Sequence, residues 1–222
     1  MSAFDDLLRH PALWRAREQP DAGTRPATLP TGYAALDRHL PGGGWPRQGL
    51  VEILTDRCGI GELSLLMPAL AVLCGDDAGS GRDDASPGGW LAWVSPPYQP
   101  YAPAFAARGI DLGRLLVVRA QPAEWAMEQA LRSGACSAVI GWAACRDRHG
   151  LRRLQLAAEQ SRSLAVLFRG LADGNDPSPA VLRIALEVGR AGLEACILKS
   201  RGGRPVTVPL GWLDPAAQAV AH

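Results

Sequence analysis

The sequence is almost without lysine: of its 23 lysine and arginine residues, only Lys199 is a lysine. Any chemistry that requires a lysine ammonium therefore depends on that one side chain. The two signs of charge also nearly cancel, because 22 aspartate and glutamate residues leave a formal net charge of +1. A near-neutral chain has no general field that would concentrate it on nucleic acid or on an anionic membrane. Contacts of that kind have to be local.

Metal-binding and membrane-spanning patterns are also missing. The five cysteines, at positions 58, 74, 136, 145 and 196, show no C-x-x-C spacing, which argues against a zinc cluster and against a disulfide framework. No apolar run approaches the about 20 residues needed to cross a bilayer, and residues 1–6 are acidic rather than signal-like. We therefore expect a cytoplasmic protein without a zinc cluster.

The length and composition favour one folded core. With 222 residues, of which 47% are hydrophobic, the chain can bury one substantial core and has little left for a second. We predict an arm and linker over residues 1–28, the core over 29–210 and a tail over 211–222. Residues 75–89 are rich in glycine, aspartate and serine, which predicts a mobile loop within the core.

The apolar pattern of the core predicts an α/β fold. Short apolar runs at 50–54, 90–94, 115–118, 136–140 and 164–168 are typical of strands buried on both faces of a parallel sheet. Helical patterns at 101–108, 122–132 and 148–162 alternate with them. Two further runs, 181–188 and 193–199, predict an antiparallel hairpin that closes one edge of the sheet. We therefore expect a mostly parallel central sheet flanked by helices, with a C-terminal hairpin.

A glycine-containing loop follows the first of these strands. Residues 55–64, TDRCGIGELS, have the outline of a phosphate-binding loop, in which backbone N–H groups cradle phosphate oxygens. In such loops a lysine neutralises the outer phosphates and a Ser or Thr hydroxyl holds magnesium. The apolar residues after the loop predict a helix that includes Leu63, Leu66 and Leu70, with an unexplained kink at Pro68.

Two longer stretches resemble a known ATPase core. Residues 29–54, LPTGYAALDRHLPGGGWPRQGLVEIL, resemble the opening of the RecA core, and residues 90–144 follow its order of strands, helices and turns. Within that group, the phrases LPGGGWPRQGL, GIGEL and MEQALRSGA are similar to the ImuA family. Its members are RecA-like and SulA-like proteins of the bacterial error-prone lesion-bypass cassette. The resemblance covers roughly residues 29–210 and implies a RecA-like core.

Laid on the RecA pattern, the loop has lost its nucleotide chemistry. Gly59 and Gly61 match loop glycines, but Glu62 stands where the lysine belongs. Leu63 stands where the metal-binding hydroxyl belongs, with Ser64 one place late. A unit charge about 4 Å from a phosphate would change from roughly 4 kcal/mol of attraction to a similar repulsion at an effective dielectric near 20. The repulsion is an upper bound, because Glu62 could turn towards solvent.

Two further positions of the RecA pattern have also lost their acidic residues. The second core strand of that family ends in a catalytic acid, whereas this chain has Ser95, Pro96 and Pro97. The Walker B aspartate corresponds here to Gly141 or Trp142, and so no carboxylate is left to organise magnesium. The resemblance therefore implies a protein that has kept the fold without ATP hydrolysis and without a bound cofactor or metal.

Several residues outside the loop are candidates for contacts with partners. The apolar arm, Phe4, Leu7, Leu8 and Trp14, either docks on another protein or folds back on its own domain. Lys199, Arg201 and Arg204 match a basic edge that reaches the neighbouring protomer in RecA filaments, or they form a charged hairpin tip. Aromatic residues near glycines and prolines either anchor interfaces or cap the sheet; they are Trp45, Tyr98 and Tyr101.

Four arginines are candidates for DNA contacts. Arg146, Arg148, Arg152 and Arg153 lie where RecA-like recombinases place a DNA-binding loop and the helix after Walker B. The alternative is a solvated helix face.

The resemblance implies an adaptor in SOS-induced error-prone translesion synthesis. Its implied partners are RecA, the polymerase-like ImuB and, through ImuB, a DnaE-type polymerase. The alternatives are a SulA-like division inhibitor that binds FtsZ and an active ATPase or recombinase.

Overall fold

The computed structural model describes residues 28–75, 89–145 and 147–211. Four predictions fall outside these ranges, and they concern the arm with Phe4, Leu7, Leu8 and Trp14, the loop over 75–89 except for its two end residues, the tail after residue 211, and Arg146.

The described residues form a mixed eight-stranded sheet, a two-stranded sheet and five α-helices. The strands are β1 (Thr28–Leu29), β2 (Trp45–Pro46), β3 (Gly49–Leu54), β4 (Trp90–Val94), β5 (Leu115–Val118), β6 (Cys136–Trp142), β7 (Leu164–Arg169), β8 (Leu182–Gly189), β9 (Gly192–Lys199) and β10 (Val206–Gly211). The helices are α1 (Ala34–Asp37), α2 (Met67–Cys74), α3 (Ala102–Ala106), α4 (Ala123–Arg132) and α5 (Arg148–Gln160). Two 3₁₀ helices span Leu112–Arg114 and Leu171–Asn175.

The large sheet has the strand order β10-β9-β8-β3-β7-β6-β4-β5. Six neighbouring strands, β8 to β5, are parallel. Strand β9 pairs antiparallel with β8, and β10 pairs antiparallel with β9. All six residues of β3 are buried, as expected for a strand covered on both faces. The predicted α/β class, the mostly parallel sheet and the antiparallel hairpin are confirmed.

The two faces of the sheet build two apolar cores, because successive strand residues point to opposite sides. Val51 and Ile53 of β3 pack into one core together with α2 and the segment before β3. Leu50 packs into the other, which is covered by α4 and α5. Asp147 caps helix α5, since its carboxylate accepts hydrogen bonds from the backbone N–H groups of His149 (3.0 Å) and Gly150 (3.1 Å), the usual N-cap arrangement.

The structure corrects two local predictions. The hairpin β8–β9 does not close the sheet, since β10 pairs with β9 and forms that edge. Helix α2 begins at Met67 rather than at the glycine loop, because residues 61–66 form turns. Pro68 therefore lies in the first turn of α2, where its missing N–H costs no helical hydrogen bond, and no kink needs explaining.

Candidate functional site

The glycine loop after β3 closes on its own glutamate. Glu62 Oε1 accepts a hydrogen bond from Gly59 N (3.0 Å), and Oε2 accepts one from Ile60 N (2.9 Å). The backbone reaches this geometry with φ of +79° at Gly59 and +96° at Gly61, a region that favours glycine. Glu62 is only 6% exposed, so the idea that it turns towards solvent is wrong. The Glu62 carboxylate thus accepts the hydrogen bonds of these two loop amides.

The two residues after Glu62 serve the apolar core. Leu63 is partly buried and packs against the core on the α2 side of the sheet. Ser64 is buried, and its backbone N–H donates to Gly61 O at 2.8 Å, which closes a turn. This segment therefore passes from β3 to α2 as packed turns, with a leucine at the position that would hold a metal-binding hydroxyl.

Ser95 directly follows β4 and ties its end to the segment after β5. Its backbone lies in the left-handed region with φ of +51°, which is uncommon for a residue with a side chain. Its hydroxyl donates to Ala120 O (2.8 Å) and accepts from Ala120 N (3.4 Å). Pro96 and Pro97 follow. The position of the expected catalytic acid is thus a structural link between two strand ends.

Gly141, near the end of β6, leaves room for a methionine. A Cβ atom at this position would fall inside contact distance of the Met127 side chain, which is fully buried on α4. An aspartate at Gly141 would have to displace that side chain and bring a charge into an apolar core. The space that a Walker B carboxylate would need is therefore filled by α4.

Trp142, the next residue, belongs to an aromatic stack at the carboxyl ends of three strands. Its ring lies parallel to that of Phe168 on β7, with centroids 4.9 Å apart and an interplanar angle of 6°. Trp93 on β4 packs against Trp142 at 5.5 Å and edge-on against Phe105 at 4.9 Å. Ligands of open α/β sheets usually bind outside the carboxyl ends of the strands. At β4, β6 and β7 these ends carry packed aromatic rings.

A buried charge cluster joins β3, β7 and β8. Glu52 accepts hydrogen bonds from Arg169 Nη1 (3.1 Å), Arg183 Nε (2.6 Å) and Ser178 Oγ (2.9 Å). The side chains of Glu52 and Arg169 have no exposed surface, and that of Arg183 is 7% exposed. Arg183 also donates to the carbonyls of Asp173, Gly174 and Asp176. Sequence reasoning missed this cluster, since Glu52 is more than 100 residues from each of its three partners and an isolated charge within an apolar run was its only signal.

Lys199 lies at the end of β9, beside this cluster. Its ammonium donates to Ser178 O at 2.8 Å. Burial, followed by the positive charge of Arg183, lowers the pKa of Lys199 below its usual value. Arg201 and Arg204 follow in the turn between β9 and β10 and are exposed. The structure therefore brings Lys199, Arg201 and Arg204 to one end of the hairpin.

The arginines proposed for DNA contacts have different surroundings. Arg148 and Arg152 are exposed on α5. Arg153 donates from Nε to Glu128 Oε2 of α4 at 3.1 Å, and Glu128 also pairs with Arg132 at 2.8 Å. The charge of Arg153 thus links two helices, which leaves Arg148 and Arg152 as the freer cations of this face.

The aromatic interface candidates divide into buried and exposed residues. Trp45 has no exposed surface, and its indole N–H donates to Leu65 O at 3.0 Å. Its prediction as an interface anchor is wrong, because it holds the turn before α2 from inside the core. Tyr98 and Tyr101 are 72% and 70% exposed and are available for contacts.

The cysteines are dispersed in the structure. Burial raises the pKa of the thiols of Cys74, Cys136 and Cys145, whereas Cys58 is exposed in the glycine loop. Within residues 28–75, 89–145 and 147–211, no three His, Cys, Asp or Glu side chains are grouped to hold a metal ion. In the same ranges no helix is both long and apolar enough to span a bilayer.

The sequence of the chain is similar to those of two kinds of known protein. No protein-family model matches the chain. Protein ImuA of Caulobacter vibrioides is 28% identical over an alignment of 233 positions, which covers 90% of this chain and 88% of the relative. The cell division inhibitor SulA of Edwardsiella piscicida is 31% identical over 127 residues, or 56% of this chain and 70% of the relative.

Among solved structures, SulA from Pseudomonas aeruginosa matches 54% of this chain and 96% of its own, with 23% identity and a TM-score of 0.41. The two sequence relatives match the same chain, one along nearly all of it and the other along more than half. The chain belongs to the ImuA/SulA-like family.

Proposed function

We propose that the chain is a non-catalytic, RecA-like adaptor in SOS-induced error-prone translesion DNA synthesis. It binds RecA and the polymerase-like ImuB and, through ImuB, an error-prone DnaE-type polymerase. The similarity to ImuA over 90% of the chain supports this role. The observation that carries the non-catalytic part is the Glu62 carboxylate, which takes the amide groups of Gly59 and Ile60 that a phosphate would need.

Three other positions support a protein without ATP hydrolysis. Leu63 packs into the core instead of offering a hydroxyl. Ser95 is held by Ala120 and is no base at neutral pH. Gly141 has no space for a carboxylate beside Met127. A RecA-like fold with these replacements offers partners its shape and surface rather than a nucleotide cycle.

A nucleotide titration tests the non-catalytic part of the proposal. The full chain is titrated with ATP and magnesium by calorimetry, and phosphate release is followed in parallel. We expect neither binding in the micromolar range nor release above the buffer rate, because neither the lysine nor the metal ligands are present. Micromolar magnesium-dependent binding would instead favour an ATPase.

The basic end of the hairpin is our candidate contact with RecA, as an alternative to the N-terminal arm. Arg201 and Arg204 are exposed there, and arginines are frequent anchors of protein interfaces. We expect the double variant Arg201→Ala/Arg204→Ala to bind RecA about tenfold more weakly, a loss of about 1.4 kcal/mol.

Arg190, exposed in the turn at the opposite end of the same hairpin, provides the matched control, and Arg190→Ala should bind RecA like the wild type. Surface plasmon resonance with immobilised RecA measures both. Equal affinities for all three proteins would remove this surface from the proposal, and in that case Trp14→Ala tests the arm. Co-purification of ImuB with the wild-type chain tests the second partner.

A division inhibitor that binds FtsZ is the second candidate, favoured by the SulA relative that is 31% identical. It predicts filamentous cells on overexpression and a complex between the purified chain and FtsZ in co-sedimentation. An adaptor for translesion synthesis gives neither result, and its deletion lowers damage-induced mutation instead.

A further inference from the structure

The glycine loop contains two donors and an acceptor that match each other. Gly59 N and Ile60 N are consecutive backbone amides, and each donates to a different oxygen of the Glu62 carboxylate, at 3.0 and 2.9 Å. Successive amides that converge in this way form a concave nest for an anion. The loop therefore supplies both the nest and its anion, because the Glu62 side chain fills the nest that begins at Gly59.

The hydrogen bonds from these two amides stabilise a buried carboxylate in the loop. Glu62 is 6% exposed, and a buried charge is costly unless it is paired or hydrogen-bonded. Among the residues that the structure describes, no arginine, lysine or histidine lies within ion-pair distance of it, and its carboxylate accepts hydrogen bonds from Gly59 N and Ile60 N. The anion and the nest consequently stabilise each other.

We propose that Glu62 is a resident substitute for a bound phosphate. Its carboxylate keeps the loop ordered without a ligand and closes the nest to other anions. Removal of the carboxylate uncovers a site for a tetrahedral oxyanion, such as inorganic phosphate or the terminal group of pyrophosphate. The replacement of lysine by glutamate at this position is then a gain of an internal ligand as well as a loss of nucleotide chemistry.

The shape of the nest sets the ligand class and its affinity. The two amides bind the two oxygens of one carboxylate, and the same spacing suits two oxygens of one phosphate. Hydrogen bonds to a charged acceptor are stronger than those between neutral groups. The Leu63 side chain has no oxygen to offer a metal ion, and so the uncovered site holds the anion through the backbone amides alone. We expect dissociation constants in the millimolar range, on the order of 4 kcal/mol of binding free energy.

Titration of Glu62→Ala with pyrophosphate tests the proposal. The probe is followed by the amide NMR signals of Gly59 and Ile60, at constant ionic strength set with sodium chloride. We expect saturable shifts of both signals in Glu62→Ala and none in the wild type. Glu62→Lys, which also returns a positive charge to the loop, should bind pyrophosphate at least about tenfold more tightly than Glu62→Ala.

Thermal unfolding of the same proteins gives a second readout. Glu62→Ala leaves two amides without their acceptor and should melt about 4–10 °C below the wild type. Pyrophosphate should return part of that loss in Glu62→Ala and leave the wild type unchanged. Glu187, an exposed glutamate on β8, is the control, and Glu187→Ala should melt like the wild type with or without pyrophosphate.

Two results would overturn the proposal. One is a wild-type chain whose Gly59 and Ile60 signals respond to pyrophosphate as strongly as those of Glu62→Ala. The other is a folded Glu62→Ala chain, or a folded Glu62→Ser chain if the alanine variant unfolds, in which neither signal moves. Binding to RecA or ImuB is measured separately, and so the adaptor role and the resident anion can fail independently.

Discussion

Replacement of Glu52 by glutamine should destabilise the fold far more than a typical change of one atom. Glu52 lies in the middle of β3 with no exposed surface, and its two oxygens face Arg169, Arg183 and Ser178 at 2.6–3.1 Å. Glutamine has nearly the same shape but no charge, and it turns one acceptor into a donor. Two buried guanidinium groups would then lose their common counter-charge.

The expected loss of unfolding free energy in Glu52→Gln follows from the burial of the charge cluster. Removal of one partner from a buried ion pair costs about 3–5 kcal/mol, and here one carboxylate serves two arginines. At about 2–4 °C per kcal/mol for a chain of this size, a loss of about 4 kcal/mol lowers the melting temperature by about 8–16 °C. Against a total stability of about 5–15 kcal/mol, that is a large fraction.

Urea unfolding followed by circular dichroism measures this loss, and the slope of the free energy with urea should stay the same. Ser178→Ala is the matched control. It removes one hydrogen bond from the same carboxylate and the acceptor of the Ala180 N–H, and it should cost about 1–2 kcal/mol. A Glu52→Gln chain no less stable than Ser178→Ala would refute the idea that the arginines depend on this charge.

Three further outcomes are expected. The Gly141→Asp chain should lose about 1–3 kcal/mol of unfolding free energy, because the new side chain overpacks against Met127. Adding Met127→Ala to that chain should recover part of the loss. A Gly141→Asp chain as stable as the wild type in thermal unfolding would contradict the close contact. In the native protein at pH 8, maleimide should modify Cys58 before the three buried thiols with raised pKa values, as read by peptide mass spectrometry. The N–H of His149 lowers the pKa of Asp147 below its usual value of 3.8, so the stability from this cap is complete above that pH and is lost as the pH falls through the folded-state pKa. Asp147→Asn, which caps without titrating, should show a shallower acid loss in circular dichroism.

The main elements were predictable because local pattern and tertiary environment agree in them. The run 50–54 is apolar enough to be buried on both faces, and it forms β3 (Gly49–Leu54). The predicted helix over 148–162 ends only two residues early, at Gln160. Strand β10 was missed because Thr207 and Pro209 break its apolar pattern. Proline is tolerated there since β10 lies at the edge of the sheet.

The details of the candidate site depend on contacts between distant residues or on turns. The charge reversal at Glu62 was visible in the sequence, but the return of its carboxylate to Gly59 and Ile60 depends on a turn that only coordinates define. The burial of Trp45 depends on Leu65, 20 residues away. In the same way, one glutamate in an apolar strand gave no indication that Arg169 and Arg183 lie beside it.

The stacked rings at the strand ends give the molecule its own spectroscopic reporter. The indoles of Trp93 and Trp142 have centroids 5.5 Å apart, close enough for their excited states to couple and to give a strong near-ultraviolet dichroism. That signal depends on fixed side-chain packing and disappears when packing loosens, even where the backbone keeps its helices and strands. Any partner that rearranges the carboxyl ends of β4 and β6 would therefore change the optical activity of the protein itself, with no added label.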